Sequence, residues 1–381
     1  MKTSWALEDS NFPFIDKLFR SSAFDLNGWE ENFVPAMREG FIWHQERSPA
    51  FRGHAALAQF DASKIQTLAD VEKIPWIFVQ NFKERELMSS PPDEIVLTLT
   101  SSGTKGQKTR LFLDSTSLNR LRVAAYQVYE ALGILRHTQD CNYLLFTYDI
   151  EQTPNLGTAW TDVLITEMVP AREIVFLIRK NEKDFEFDLE LALDSYTQFA
   201  RSGKPVRMLG FPAFMYRLAV EIKRRGLPSI EMPQESWVLT GGGWKNHQGE
   251  TIGKLDFARF IYQTMGIPVA NTRDLFGMAE HGVGYVDCEK GQLHVPVYAH
   301  AITRDVFSLE RNPYGVPGLL QLFSPLQRGY PSISLLTTDE AIVYDGKCEC
   351  GRFGRRIEYV KRVGLTQHQG CALKALEYLK T

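Results

Sequence analysis

From Ile95 to Asn271 the hydrophobic period of the sequence keeps switching, and this switching constrains the fold more than any other feature. Short apolar, β-branched runs at Ile95–Thr100, Thr109–Asp114, Asn142–Thr147, Glu173–Ile178, Val206–Gly210, Trp237–Thr240 and Pro268–Asn271 read as strands. Helical periodicity fills the intervals. A helix capped near Ser115 carries Leu118, Leu121, Ala125, Val128 and Leu132 on one stripe, and others follow at Phe187–Arg201, Ala213–Arg225 and Thr251–Met265. Strand and helix in alternation predict an α/β fold whose mostly parallel sheet is covered by helices. The flanks differ from this pattern. The first 90 residues read as helical and close on the helix breakers Ile74-Pro75-Trp76 and Pro91-Pro92. After Gly282 the helices give way to short β runs, as in Gln292–Val297, Gly318–Phe323 and Ser332–Thr337. The expected organisation is therefore a helical N-terminal part of the core at 1–90, an α/β core at 91–282, a smaller β-rich subdomain at 283–361 and a short tail at 362–381.

Charge and cysteine content narrow the function. The 43 Lys plus Arg nearly balance the 46 Asp plus Glu, for a net charge of −3, so no basic field is on offer to nucleic acid or an anionic membrane. No window reaches the roughly 18 uninterrupted apolar residues that a membrane span requires, and no apolar signal core follows Met1; the expected location is the cytoplasm. The five cysteines, Cys141, Cys288, Cys348, Cys350 and Cys371, are odd in number and irregularly placed. Metal binding or thiol chemistry fits them better than a disulfide framework.

The segment Thr100-Ser101-Ser102-Gly103-Thr104-Lys105-Gly106-Gln107-Lys108-Thr109 joins two β runs. Its hydroxyls, glycine amides and two lysines are what a loop needs to wrap a polyphosphate, although a plain hairpin turn has the same composition. No Walker A string is present, and the segment leads into a strand instead of a helix.

The loop resembles the S-S-G-T-T-G-x-P-K phosphate loop of the adenylate-forming, acyl-CoA synthetase-like superfamily, and further motifs follow in that superfamily's order. Thr240-Gly241-Gly242-Gly243-Trp244-Lys245 resembles its adenine-side glycine segment, Leu275-Phe276-Gly277-Met278-Ala279-Glu280 its Y-G-x-T-E, and Ser334-Leu335-Leu336-Thr337-Thr338-Asp339 its ribose-binding T-G-D element. Within the superfamily the chain is most similar to the LuxE family, the acyl-protein synthetases of bacterial luminescence, and to their phenylacetate-CoA ligase-like relatives. Ile74-Pro75 with Phe82-Lys83, the triple glycine, the run from Gly318 through Ser324-Pro325-Leu326 to Tyr330-Pro331, and Gly370-Cys371 carry that likeness. It implies an adenylate-forming core whose large C-terminal lid is absent or vestigial.

The resemblance also implies roles. ATP and Mg²⁺ are the expected cofactors: Ser101, Ser102, Gly103, Thr104, Lys105, Gly106 and Lys108 would hold the leaving phosphates, with Lys108 neutralising charge; Glu280 would position Mg²⁺; Gly241, Gly242, Gly243, Phe276 and Gly277 would border the nucleotide; and Asp339 would bind ribose. Cys371, in Gln367-His368-Gln369-Gly370-Cys371, stands where these synthetases carry their acylated cysteine. A fatty or aryl acid would be activated as acyl-adenylate, captured as a thioester and passed to a protein acceptor or reductase partner. Read without the resemblance, a triple glycine is a flexible turn, a single Glu or Asp a surface charge and Cys371 an inert thiol.

Cys288-x5-His294 and Cys348-x-Cys350 form a set of three sulfurs and an imidazole that matches a structural Zn²⁺ site, with a buried core histidine as the competing reading of His294. The phenylacetate-CoA ligase-like relatives carry a similar set. Three positions depart from the motifs: Lys105 replaces a threonine, Lys108 a proline, and Ala279 the threonine of Y-G-x-T-E. Two alternatives follow: a ligase that passes the acyl group to CoA or another small acceptor, leaving Cys371 dispensable, and a non-catalytic nucleotide-binding relative.

Overall fold

The computed structural model describes residues 7, 11–100, 109–135, 140–180, 185–242 and 252–362. In chain order, helices α1 (Pro13–Arg20), α2 (Trp29–Arg47), α3 (Pro49–Leu57) and α4 (Leu68–Val71) lead to strand β1 (Ile77–Phe78) and helix α5 (Asn81–Glu84). The hairpin β2 (Ile95–Thr100) and β3 (Arg110–Asp114) and helix α6 (Ser115–Ala131) come next. Then follow β4 (Cys141–Tyr148), α7 (Gly157–Met168), β5 (Ala171–Lys180), β6 (Phe185–Phe187), α8 (Leu189–Arg201), β7 (Val206–Gly210), α9 (Pro212–Arg224), β8 (Trp237–Gly241), α10 (Lys254–Met265), β9 (Thr272–Phe276) and β10 (Tyr285–Val286). Strands β11 (Leu293–His294), β12 (His300–Arg304), β13 (Gly318–Phe323), β14 (Ser334–Tyr344) and β15 (Arg356–Arg362) complete the list. Contacts divide the chain into two compact units, one of Met1–Val128, Met278–Tyr285 and Gln292–Thr381, the other of Tyr129–Gly277 and Val286–Gly291.

The second unit is the helix-flanked sheet that the alternating pattern predicts. Its seven strands run in the order β10-β9-β8-β7-β4-β5-β6, parallel from β9 through β5, with β6 antiparallel at the edge. Alternate residues of three neighbouring strands, Leu144 and Phe146, Val206 and Met208, and Val238, bury against α8, α9 and α10 in one apolar cluster. Helix α8 starts where the Asp188 side chain accepts from Leu191 N, and α10 stops at Gly266, which adopts φ +69°. The chain leaves β4 toward β5 and leaves β7 toward β8, so the strand order reverses between β4 and β7; crevices at such reversals, at the C-terminal strand ends, are where open parallel sheets bind ligands.

In the first unit, β14 organises the sheet. Its first half is flanked by β13 and by the parallel β1, paired Ile77↔Leu335, and its second half by β15, paired from Asp339↔Arg362 onward. Beneath lies an aromatic layer from α1 to α3, in which Trp29 stacks on Phe33, Phe41 meets Phe51 edge-on, and Phe19 stacks on Tyr298. Among the described residues no large lid domain is present and no helix is long and apolar enough to cross a membrane.

Two strand expectations are revised. Pro268–Asn271 is a bend with a 3₁₀ turn at Val269–Asn271, and the strand begins at Thr272. Pro268 has no amide to give a ladder, and Asn271 instead spends its side-chain amide on the Gln234 and Ser236 carbonyls. Of Gln292–Val297 only Leu293 and His294 pair, because Pro296 breaks the run.

Candidate functional site

In the α/β unit the glycine segment begins at the C-terminal end of β8, where Gly241 is the last strand residue and Gly242 adopts φ +72°. Neighbouring β9 ends at Phe276, followed by Gly277. A polar lattice that the motifs do not reveal lies under these ends. Thr240 Oγ1 donates to Asp274 Oδ1 at 2.8 Å, the Asp274 amide donates to Asp287 Oδ1 at 2.8 Å, and Lys254 Nζ lies 3.0 Å from Asp274 Oδ2 and 3.7 Å from Asp287 Oδ2. Burial pushes the Asp287 carboxyl up to about 6 against the opposing pull of Lys254. Burial also works against the Lys254 charge, yet Asp274 and Asp287 together hold it above the usual lysine value. The sequence signal for this lattice was the position of Asp274, two residues before Phe276.

In the first unit Glu280 is buried in a turn in which the His281 and Gly282 amides both donate to Met278 O, at 3.1 and 3.0 Å. Tyr330 closes over this turn: its hydroxyl donates to Ala279 O at 2.9 Å, and burial together with the nearby Glu280 charge keeps its phenol protonated far above the usual range. Buried, with hard oxygen donors, Glu280 has the chemistry that Mg²⁺ takes. Asp339 is also buried, at the point of β14 where β15 begins to pair, and its amide donates to Thr337 Oγ1 at 3.0 Å while that hydroxyl donates to Leu320 O at 2.9 Å.

The loop 324–331, which delivers Tyr330, is tied down from several sides. Ser117 Oγ accepts from Arg328 N at 2.8 Å and from Gly329 N at 3.3 Å; Trp43 Nε1 donates to Arg328 O at 2.9 Å; and Ser89 N donates to Gly329 O at 2.8 Å. The Arg328 guanidinium lies over the Trp43 ring, 4.3 Å from its centroid.

The four zinc candidates come together. One ligand atom from each of Cys288, His294, Cys348 and Cys350 lies within 4.8 Å of all the others, and Cys350 Sγ is 3.3 Å from His294 Nε2. No disulfide joins the described cysteines to one another. Pairing of β11 with β15 sets His294 against Arg356, and a turn at Gly351, φ +92°, with Gly351 N on Cys348 O at 2.9 Å, folds Cys348 and Cys350 back toward it. Tetrahedral zinc–sulfur coordination places sulfurs about 3.8 Å apart for bonds of about 2.3 Å, so this donor set fits that ion.

Ser101, Ser102, Gly103, Thr104, Lys105, Gly106, Lys108, Gly243 and Cys371 lie outside the described residues. Glu280 and Asp339 belong to one unit, and Gly241, Gly242, Phe276 and Gly277 to the other.

The sequence profile of the family "Acyl-protein synthetase, LuxE" matches residues 15–379. Relatives named long-chain-fatty-acid–luciferin-component ligase, from Vibrio harveyi and Aliivibrio fischeri, are 26% and 25% identical over 317 and 338 residues, covering 81% and 88% of this chain and 79% and 86% of theirs. Among solved structures, 2-hydroxyisobutyryl-CoA ligase in its postadenylation state with R3-HIB-AMP superimposes with a TM-score of 0.66 at 15% identity, over 88% of this chain and 68% of its own. The same enzyme with 2-HIB-AMP and CoA gives 0.67 at 16% identity, over the same shares. The fold is therefore the adenylate-forming one, and the chain belongs to the LuxE family of acyl-protein synthetases, which are ligases.

Proposed function

We propose that this enzyme is an ATP-dependent acyl-protein synthetase acting on a long-chain fatty acid. The observation that carries the reading is the match of the acyl-protein synthetase family across residues 15–379 of a chain with the adenylate-forming fold. The acid's carboxylate oxygen attacks the α-phosphorus of ATP, the bond to the bridging oxygen breaks, and pyrophosphate leaves. Ser101 to Gly106 and Lys108 hold the departing phosphates, and Asp339 receives the ribose hydroxyls. Gly241 to Gly243, Phe276 and Gly277 border the adenine. Glu280 would hold Mg²⁺, which when bound would supply charge neutralisation.

The Cys371 thiolate then attacks the acyl carbon, its bond to the AMP oxygen breaks, AMP leaves, and the thioester passes the acyl group to a protein acceptor. Thr240, Asp274 and Lys254 hold the ends of β8 and β9 in register for the nucleotide. Cys288, His294, Cys348 and Cys350 would hold a structural Zn²⁺, which would pin β11 to the β14–β15 turn, and a site closed by four protein ligands would leave no position for chemistry.

The test is incubation of the purified protein with ATP, Mg²⁺ and labelled carboxylic acids of graded length, alongside Cys371→Ala. Acid-dependent pyrophosphate exchange by both forms, with hydroxylamine-labile label on the wild type alone, is the expected result. Exchange without protein label moves the acceptor to CoA or another small nucleophile, and neither signal with any acid overturns the reading.

A further inference from the structure

Buried side-chain amides are nearly always hydrogen-bonded, because an unpaired one forfeits its hydration without compensation. Gln327 breaks that rule. Its side chain is 3% exposed, and neither Oε1 nor Nε2 has a hydrogen-bond partner among the described residues. The backbone around it is held firmly: His44 Nε2 meets Gln327 O at 3.1 Å, and Ser117 Oγ accepts from the next amide, Arg328 N. The amide is thus positioned by its surroundings and left unsatisfied by them.

Its location gives the unpaired amide a meaning. The Gln327 amide packs on Gly282, where a Cβ would collide with Nε2 and where φ of +83° already favours glycine. Gly282 is two residues from Glu280 in the same tight turn, and Tyr330, three residues beyond Gln327, donates to Ala279 O. A second unsatisfied atom lies in that turn: His281 is fully buried and held neutral by burial at a value of about 3, and its Nε2 is 2.7 Å from Tyr285 Oη while its Nδ1 has no hydrogen-bond partner among the described residues. A side chain at position 282 would occupy the space beside the Gln327 Nε2, which glycine leaves to the amide.

We propose that Gln327 is a substrate-contacting residue, whose carboxamide N–H donates to an anionic oxygen of the acyl-adenylate as it forms beside Glu280. The inference rests on the adenylation reading and adds to it a residue to which the sequence motifs give no role. A neutral donor suits the place: it stabilises charge developing on the phosphate and acyl oxygens without forming a competing ion pair with Glu280. Unsatisfied polar groups that stability alone would remove are retained where a ligand needs them.

The experiment compares wild type with Gln327→Leu and Gln327→Glu, measuring melting temperature without ligand and acid-dependent pyrophosphate exchange. Leucine fills the volume and removes the orphan amide, so Gln327→Leu is expected to melt at the wild-type temperature or above while its exchange kcat falls about 10- to 100-fold. Gln327→Glu is expected to lose at least as much, since it sets a second carboxylate against the anion. A Gln327→Leu protein that melts lower and exchanges as fast as wild type overturns the assignment, and so does one unchanged in both readings, the result for an amide that merely holds a buried water. A wild type that exchanges with no acid overturns the ligase reading itself, which separates the two failures.

Discussion

His44, near the end of α2, and Gln327, 283 residues later, meet through the His44 Nε2 and the Gln327 carbonyl oxygen at 3.1 Å. Burial lowers the His44 imidazole to about 3, so the ring is neutral at physiological pH. A carbonyl only accepts, so Nε2 carries the proton, and Nδ1 then accepts from the Ser89 hydroxyl at 2.8 Å. One tautomer satisfies all three groups and fixes the loop that carries Gln327, Gly329 and Tyr330. His44→Ala leaves the Ser89 hydroxyl and the Gln327 carbonyl without their partner, at about 1–3 kcal/mol for each group left unsatisfied. Urea denaturation is expected to show that loss, and pyrophosphate exchange is expected to fall with it. Equal stability of the variant and the wild type would show that the ring does not hold the loop.

The buried histidines also make stability depend on pH. His44 and His281 are each lowered by burial from 6.5 to about 3, and His300 to about 4 even though Glu72 accepts from its Nε2 at 2.9 Å. A depressed folded-state value means that the unfolded chain binds the proton more readily. The stability from each ring is fully present above about 6.5 and is lost as pH falls toward 3 or 4. At about pH 5 each of His44 and His281 has lost about 2 kcal/mol. Melting temperature measured from pH 7.5 downward is expected to fall steeply below pH 6.5, and His281→Asn to flatten that slope. A curve level down to pH 4.5 contradicts protonation as the cause.

Gly329 tests how tightly the loop is packed. A Cβ there would overlap the carbonyl oxygen of Phe112 in β3, whereas a Cβ on Gly53 in α3 meets nothing within 4 Å. Gly329→Ala is expected to destabilise by about 1–3 kcal/mol or more, and Gly53→Ala to stabilise by about 0.5–1 kcal/mol through helix propensity. Opposite shifts of the denaturation midpoint are the expected observation; shifts of the same sign rule out the close approach.

Strands bounded by breakers were legible in the sequence. Ile95–Thr100, Val206–Gly210 and Gly318–Phe323 were expected at the boundaries they occupy, because proline, glycine or serine stands at or beside their ends. Helix α7 was not anticipated: its start at Gly157 has no side-chain cap, and Thr161 and Thr166 turn their hydroxyls back onto helix carbonyls. In the site, Glu280 and Asp339 were reached through motif likeness, and the cysteine and histidine set through its rare donor types. Gln327, Ser117 and His44 were invisible, since their partners are more than 200 residues away and no local spacing records such pairings.

Thr240 links the ends of β8 and β9 through its hydroxyl to Asp274. Valine keeps the shape and removes the donor to a carboxylate that Lys254 also pairs with. Thr240→Val is expected to cost about 1.5–3 kcal/mol in urea denaturation and to weaken ATP binding, read by the ATP-induced rise in melting temperature. Unchanged stability would mean that the Lys254 pairing alone suffices to hold Asp274.

Three sulfurs and an imidazole within 4.8 Å of one another, with no disulfide among the described cysteines, motivate the zinc proposal. Thiolates gathered so closely repel one another unless a cation or protons neutralise them, and a bound ion contributes its binding energy to folding. Metal analysis of the purified protein is expected to find about one zinc per chain. Cys348→Ser combined with Cys350→Ser is expected to abolish that zinc and lower the melting temperature, whereas Cys141→Ser, at a cysteine outside the cluster, leaves the zinc content intact. Because a site of four protein ligands would have a closed coordination sphere, the zinc-free variant that remains folded at low temperature is expected to keep pyrophosphate exchange. A wild type that contains no zinc and melts identically with and without a chelator would make the cluster a set of packed thiols.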